Sequence, residues 1–435
     1  MFTMTKLTTL LIGGAALLLV ICMIVYPERV FQASLQGLSI WWKLVFPALL
    51  PFLIITEIMR GMGILHGLGK LLEPLLHAVF RLPGAGGWPL ALGFTSGAPS
   101  GAIVIAELRR DKLVTREEAE RLLSLTHVTS PMVLITVIGV GFLQNAAIGL
   151  ALALLHYGAA LIMGLLQRGI RRRLSAAEEK EAEENLEANR LAASTGQPAQ
   201  AGWIASSLAA IHAARAADGR TFGKLLGESV TTSIQQLMAI GGLIMIFSVL
   251  IQVLSISPIT TYAAILLNML GLTTLADAQA LLSVLLPGVF EIHLGAFAFV
   301  QQQILPEAWH YALLSAIFAW GGLSAHAQVK SFIRDTDIRY FAFLRSRLQH
   351  AMISFVLTYL LWGPLKLWLN EVASPVFLPQ AARNSSYEPL VTSWNGINLW
   401  PLMSPVMMIF GGIVLIMLLV SIFTVFIWQH RGRDV

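Results

Sequence analysis

Thr95, Ser96 and Ser100 lie in one short run with Gly97, Ala98, Pro99 and Gly101, inside sequence that is otherwise apolar. Three more runs share this character: Thr126-His127-Val128-Thr129-Ser130-Pro131, Glu291-Ile292-His293-Leu294-Gly295, and Gly321-Gly322-Leu323-Ser324-Ala325-His326-Ala327-Gln328. An unpaired backbone group in hydrocarbon costs several kcal/mol, so helix breakers at membrane depth survive where protein buries them or where they line a hydrated cavity. Hydroxyls, imidazoles, one amide and one carboxylate make a recognition set for a small polar solute. The expected solute-binding residues are Thr95, Ser96, Gly97, Ser100, Gly101, His127, Thr129, Ser130, Glu291, His293, Ser324, His326 and Gln328. Glu291 is also the expected coupling residue, because a carboxylate at membrane depth is expensive and is usually kept for ion, proton or substrate handling.

Each of these residues has a plainer reading. Gly-Ala-Ser runs pack membrane helices closely, and an intramembrane His is often a hydrogen-bonded packing residue. Glu291 has the plainer role of a neutral acid bonded to backbone, and Lys330 that of a side chain snorkelling to the inner surface. His156 sits in a continuous apolar run and reads as structural. Enzyme chemistry is not expected: the chain has no His-Glu-x-x-His, no nucleophile elbow and no convincing aspartate pair. Cys22 is the one cysteine, so intramolecular disulfides and cysteine metal sites are excluded. No metal or organic cofactor is expected.

The elements that position these residues are membrane helices. Hydrophobic residues make up 56% and charged residues 12% of the chain, with a mean hydropathy of +0.72, well outside the globular range. The net charge of +5 needs no nucleic acid partner; its placement is what informs. No Lys or Arg occurs between Lys224 and Lys330, a stretch expected outside the cytoplasm. Clusters at Arg109 to Arg121, Arg168 to Arg173, Arg334 to Arg347 and Arg431 to Arg433 belong inside, which places both termini in the cytoplasm.

Along the chain, Leu7 to Tyr26 reads as a retained first span and Leu35 to Arg60 as its return, with kinks at Pro47 and Pro51. Ile64 to Leu82 is an amphipathic surface helix, and Pro83 to Arg110 dips in and returns. Thr115 opens the next helix with Glu118 three residues on, a capping box. That helix runs to about Leu143, broken by Pro131, and Asn145 to Gln167 comes back. The order then repeats with opposite orientation: Phe222 to Ser255, a surface helix at Pro258 to Leu270, a second hairpin, a broken Glu307 to Lys330, and Leu344 to Leu369. Pro99 and Pro287 are expected to begin inner half-helices whose N–H ends attract anions.

The expected organisation is therefore an N-terminal helix at 1–33, a first repeat at 34–168 with hairpin 83–110, and a cytoplasmic linker at 169–221. A second, inverted repeat follows at 222–369 with hairpin 272–305, then an external loop at 370–399 and a C-terminal helix and tail at 400–435. The fold class is an all-α polytopic membrane protein of two inverted repeats, each with a re-entrant hairpin and a broken helix. That is a transporter signature, with the site near the midplane. Dimers or trimers are compatible with it.

The runs at 95–102, 291–295 and 322–329, with Trp41-Trp42-Lys43 and Phe46-Pro47-Ala48-Leu49-Leu50-Pro51-Phe52, resemble the YlbJ (stage V sporulation protein V) family of sporulation integral membrane proteins. The resemblance covers most of the membrane part and is weak in the linker and outer loop. It places the chain in the wider nucleoside-recognition Gate group, with concentrative nucleoside transporters and the ferrous iron transporter's gate. It implies transport of dipicolinic acid from the mother cell across the outer forespore membrane. Nucleoside carriers place Gln and Glu in the first tip, whereas this chain has Thr95, Ser96 and Ser100 there; Glu291 matches the acid of their second tip. A fixed carboxylate beside a dianion repels it, so Glu291 is expected to be protonated during transport or to couple a proton. The alternatives are a nucleoside transporter and a non-transporting gate or scaffold that needs a partner protein.

Overall fold

The computed structural model describes residues 4–98, 100–169, 184, 203–271, 273–302 and 305–372, and all regular elements among them are helical. Pro99, most of the 169–221 linker, the outer loop beyond residue 372, the 400–435 helix and the basic clusters at 171–173 and 431–433 lie outside the described residues. The stretches Pro27–Gly61, Ala146–Arg168, Phe222–Ile256, Glu307–Phe332 and Tyr340–Leu367 are long and apolar enough to cross a membrane. The expected class, an all-α polytopic membrane protein, is what is observed.

Helix α1 (Met4–Val25) is followed by α2 (Pro27–Ile40), whose Pro27 occupies the first turn, where a missing N–H costs nothing. A π-helical segment, Trp41–Val45, joins α2 to α3 (Phe46–Gly61). Its cause is Pro47, which offers no donor to the Lys43 carbonyl four residues back and crowds it, so the turn before it widens. Helix α4 (Ile64–Leu75) and the π-turn Leu76–Phe80 bury Leu65, Leu72, Leu76 and Phe80, and carry the Lys70–Glu73 ion pair at 2.7 Å.

Helices α5 (Gly87–Ser96) and α6 (Ser100–Arg110) form a hairpin turned at Gly97, whose φ of 75° favours glycine. Helix α7 (Arg116–Thr126) starts at the expected capping box: Glu118 N–H donates to Thr115 Oγ1 at 3.3 Å, and Thr115 N–H to Glu118 Oε2 at 2.8 Å. The chain leaves helical conformation at His127–Ser130, resumes as a π-helical stretch, Val133–Phe142, and returns as α8 (Ala146–Gly169).

Part of the segment assigned to a linker is a helix, α9 (Trp203–Asp218). Its alanine-rich sequence has high helix propensity. It lies on α4, with Ser207 Oγ donating to Gly67 O at 3.0 Å. Helix α10 (Phe222–Ile256) packs on α2 and α3, where Trp41 Nε1 donates to Leu237 O at 2.8 Å across Gly241. The short α11 (Ile259–Met269) leads to a second hairpin, α12 (Leu275–Phe290) and α13 (Ile292–Gln301). Helices α14 (Glu307–Trp320) and α15 (Gly322–Phe332) are two halves broken at Gly321, and α16 (Tyr340–Val372) closes the described chain.

Two apolar clusters hold these elements. One gathers Trp41, Leu49, Leu134, Leu152, Leu237, Leu294, Phe299 and Phe318. The other gathers Leu65, Phe80, Leu90, Ile105, Leu122, Val329 and Phe343. Each draws on residues from both the early and the late part of the chain.

Candidate functional site

Each hairpin tip is fastened to a helix break. In the first, Ala98 N–H donates to Val128 O at 3.0 Å, and a Cβ on Gly97 would lie 2.8 Å from Ser130 Cβ. In the second, Trp320 Nε1 donates to Val289 O at 3.0 Å, and a Cβ on Gly322 would lie 3.0 Å from Phe290 O. The breaks are themselves joined, because Thr129 Oγ1 donates to Phe318 O at 3.1 Å. Thr129 is held further by its N–H to His156 Nε2 at 3.1 Å and by Tyr157 OH to its carbonyl at 2.9 Å.

These four segments enclose a cavity of about 290 Å³. Its polar lining is Ser96, Ser100, His127, Thr129, Ser130, Gln236, Glu291, His293, Ser324 and Gln328; Leu49, Phe52 and Leu53 of α3 and Ile240 and Leu243 of α10 supply apolar walls. The volume lies at the small end of ligand sites, which run from roughly 300 Å³. His127 is 3% exposed, and neither of its ring nitrogens has a hydrogen-bond partner among the described residues. The same holds for His293 Nε2. Leaving a buried polar group unpaired costs about 1–3 kcal/mol, and these three nitrogens, closed off in this conformation, belong to two residues of the cavity lining.

Glu291 is the N-cap of α13. Its Oε2 accepts from His293 N–H at 2.7 Å and Leu294 N–H at 3.0 Å, and its Oε1 meets His293 Nδ1 at 2.7 Å. This corrects the expectation for Pro287, which lies inside α12 and begins no half-helix. The inner half-helix starts after Glu291, and its N–H end is taken by the protein's own carboxylate rather than left for an anion.

Of the sequence-derived residues, Thr95, Gly97, Gly101 and His326 stand behind the lining. Thr95 Oγ1 donates back to Ala91 O at 2.8 Å, and Gly101 packs on Thr126. His326 is satisfied by Tyr340 OH at 3.0 Å and Trp320 O at 3.2 Å and stacks on Trp320 with ring centroids 4.1 Å apart. Lys330 Nζ lies over the Tyr340 ring, 5.6 Å from its centroid. The lining residue absent from sequence reasoning is Gln236, which donates weakly to Glu57 Oε1 at 3.5 Å. Its signal was the Gln235-Gln236 pair, the last polar residues before the long apolar run of the crossing helix. No group of three or more His, Cys, Asp or Glu among the described residues has the arrangement of a metal site.

Residues 42–149 match the Gate family, described as nucleoside recognition. The chain is also 36% identical over 393 residues to the sporulation integral membrane protein YlbJ of Bacillus subtilis (strain 168), an alignment that covers 90% of this chain and 92% of that protein.

Proposed function

Because the chain belongs to the family of the sporulation integral membrane protein YlbJ and carries a Gate region, we propose that it is a secondary carrier for a small aromatic anion, with dipicolinate as its solute. The observation that carries this reading is the cavity between the two tips and two breaks, with His127 and His293 among its lining residues. Ser96, Ser100, Ser130 and Ser324 hydroxyls and the Gln236 and Gln328 amides bind the carboxylates and ring nitrogen of the solute. His127 and His293 supply the charge-assisted bonds.

Proton coupling is assigned to the Glu291–His293 pair, whose Oε1 and Nδ1 meet at 2.7 Å. The two halves act as inverted repeats, the hairpins re-enter from opposite sides, and alternate opening of their tips gives access from each side in turn. The termini lie in the cytoplasm of the mother cell, and the carrier works in the outer forespore membrane without catalysing a reaction.

The test is uptake of dipicolinate into liposomes by the purified protein, with uridine as competitor. Saturable uptake insensitive to uridine is expected, with several-fold losses in Ser96→Ala and Ser324→Ala that leave the amount of membrane-inserted protein unchanged. Uptake abolished by uridine would make this a nucleoside carrier. No uptake and no binding in an intact, oriented preparation would leave the partner-dependent gate.

A further inference from the structure

Arg347, on α16, is 1% exposed, and its hydrogen-bond partners among the described residues include no carboxylate. Its guanidinium donates to the carbonyls of Ser124 and His127 and lies 3.3 Å from His350 Nδ1. The Ser124 carbonyl lies in the last turn of α7, the negative end of its dipole, and His127 is the helix C-cap and the first residue of the break. The Phe343 ring covers the guanidinium at 5.5 Å. The network reaches the cavity twice: through His127, and through His350 Nε2 to His156 O at 3.1 Å and on to Thr129.

A guanidinium in this setting is costly, and a neutral donor could satisfy the same carbonyls. The cavity lining includes the acid Glu291 and no Lys or Arg. With Glu291 ionised, that lining alone would make its potential negative and turn an anion away. The buried cation stands behind His127, where the medium screens it weakly.

We infer that Arg347 sets the charge preference of the cavity, giving a pocket lined by Glu291 a preference for anionic solutes while it positions His127 and the carbonyls of the break. The identity of the solute rests on the carrier reading; the sign of the potential is a property of the protein and can be read without any solute.

The probe is a cysteine placed in the cavity. In a Cys22→Ser background, Ser100→Cys is modified by anionic sulfonatoethyl and cationic trimethylammonioethyl methanethiosulfonates. In each reaction the thiolate displaces methanesulfinate to form a mixed disulfide, and rates are normalised to those of a free thiol. The anionic reagent is expected to react faster. Arg347→Gln should lower the anion-to-cation rate ratio at least about tenfold, while Arg347→Lys keeps it within about threefold. A purely structural arginine would not produce that pattern.

A cationic preference with Arg347 in place, or a ratio that Arg347→Gln leaves unchanged, would overturn the inference. The first comparison needs no substitution at Arg347, so it decides even where the Gln variant does not fold. Dipicolinate uptake measured on the parent protein, with Ser100 intact, separates the two readings: an anionic preference without uptake defeats the carrier alone, and uptake with a cationic preference defeats the role of Arg347 alone.

Discussion

Glu291 makes two separable sets of contacts, capping α13 through Oε2 and meeting His293 Nδ1 through Oε1. Glu291→Ala removes both, and the lost cap should cost about 1 kcal/mol, seen as earlier melting in detergent. Glu291→Gln keeps an acceptor oxygen for the backbone donors but cannot exchange a proton. Its melting should stay near that of the parent while uptake falls and loses its dependence on a pH gradient. The residue types at 95–100, 127–130, 291–293 and 324–328 were visible in sequence because hydroxyls and breakers stand out against apolar neighbours. Which of them faced the cavity was not. Thr95 turns back to its own helix, and His326 is consumed by Trp320 and Tyr340, contacts fixed only by packing.

Close backbone approaches make the hairpins possible. A Cβ on Gly295 would lie 2.3 Å from Gly288 Cα, a backbone atom that cannot step aside. Gly295→Ala should therefore force α12 and α13 apart, cost on the order of 1–3 kcal/mol and lower both melting temperature and uptake. Gly223→Ala is the control: nothing lies within 4 Å of its added Cβ, so stability should hold or rise by up to about 1 kcal/mol. Element order was legible because each crossing helix is a long apolar run and each stop has a local cause, as at Thr115, Pro131 and Gly321. Helix α9 was not, because its place depends on Gly67 of α4 admitting Ile211, a contact between distant parts of the chain.

Across the whole molecule, the early and late parts of the chain are tied by surface ion pairs as well as by apolar packing. Arg109, at the end of α6, grips both carboxylate oxygens of Asp337 at 2.8 Å, and its guanidinium holds that carboxyl below the usual aspartate range. In the connection before α10, Asp218 is pulled down to about 2 by its hydrogen bonds to Arg220. A carboxyl with a lowered folded value stabilises above its unfolded value, about 4, and loses that contribution as pH falls through the folded value. Melting temperature should therefore drop on acidification below about pH 4, less steeply in Asp337→Asn and Asp218→Asn than in the parent; equal slopes would count against these ties. The wide turn at Trp41–Val45 bears on the same assembly. It holds one residue more than an α-helical path needs, and each residue turns a helix by about 100°. A wide turn spreads one rotation over about one residue more, so it absorbs the surplus and keeps α3 in phase with α2, with Leu49, Phe52 and Leu53 on the cavity and Trp41 anchored to α10. The widened turn is thus what admits Pro47 into a membrane-crossing rod without turning the rod's inner face from the cavity.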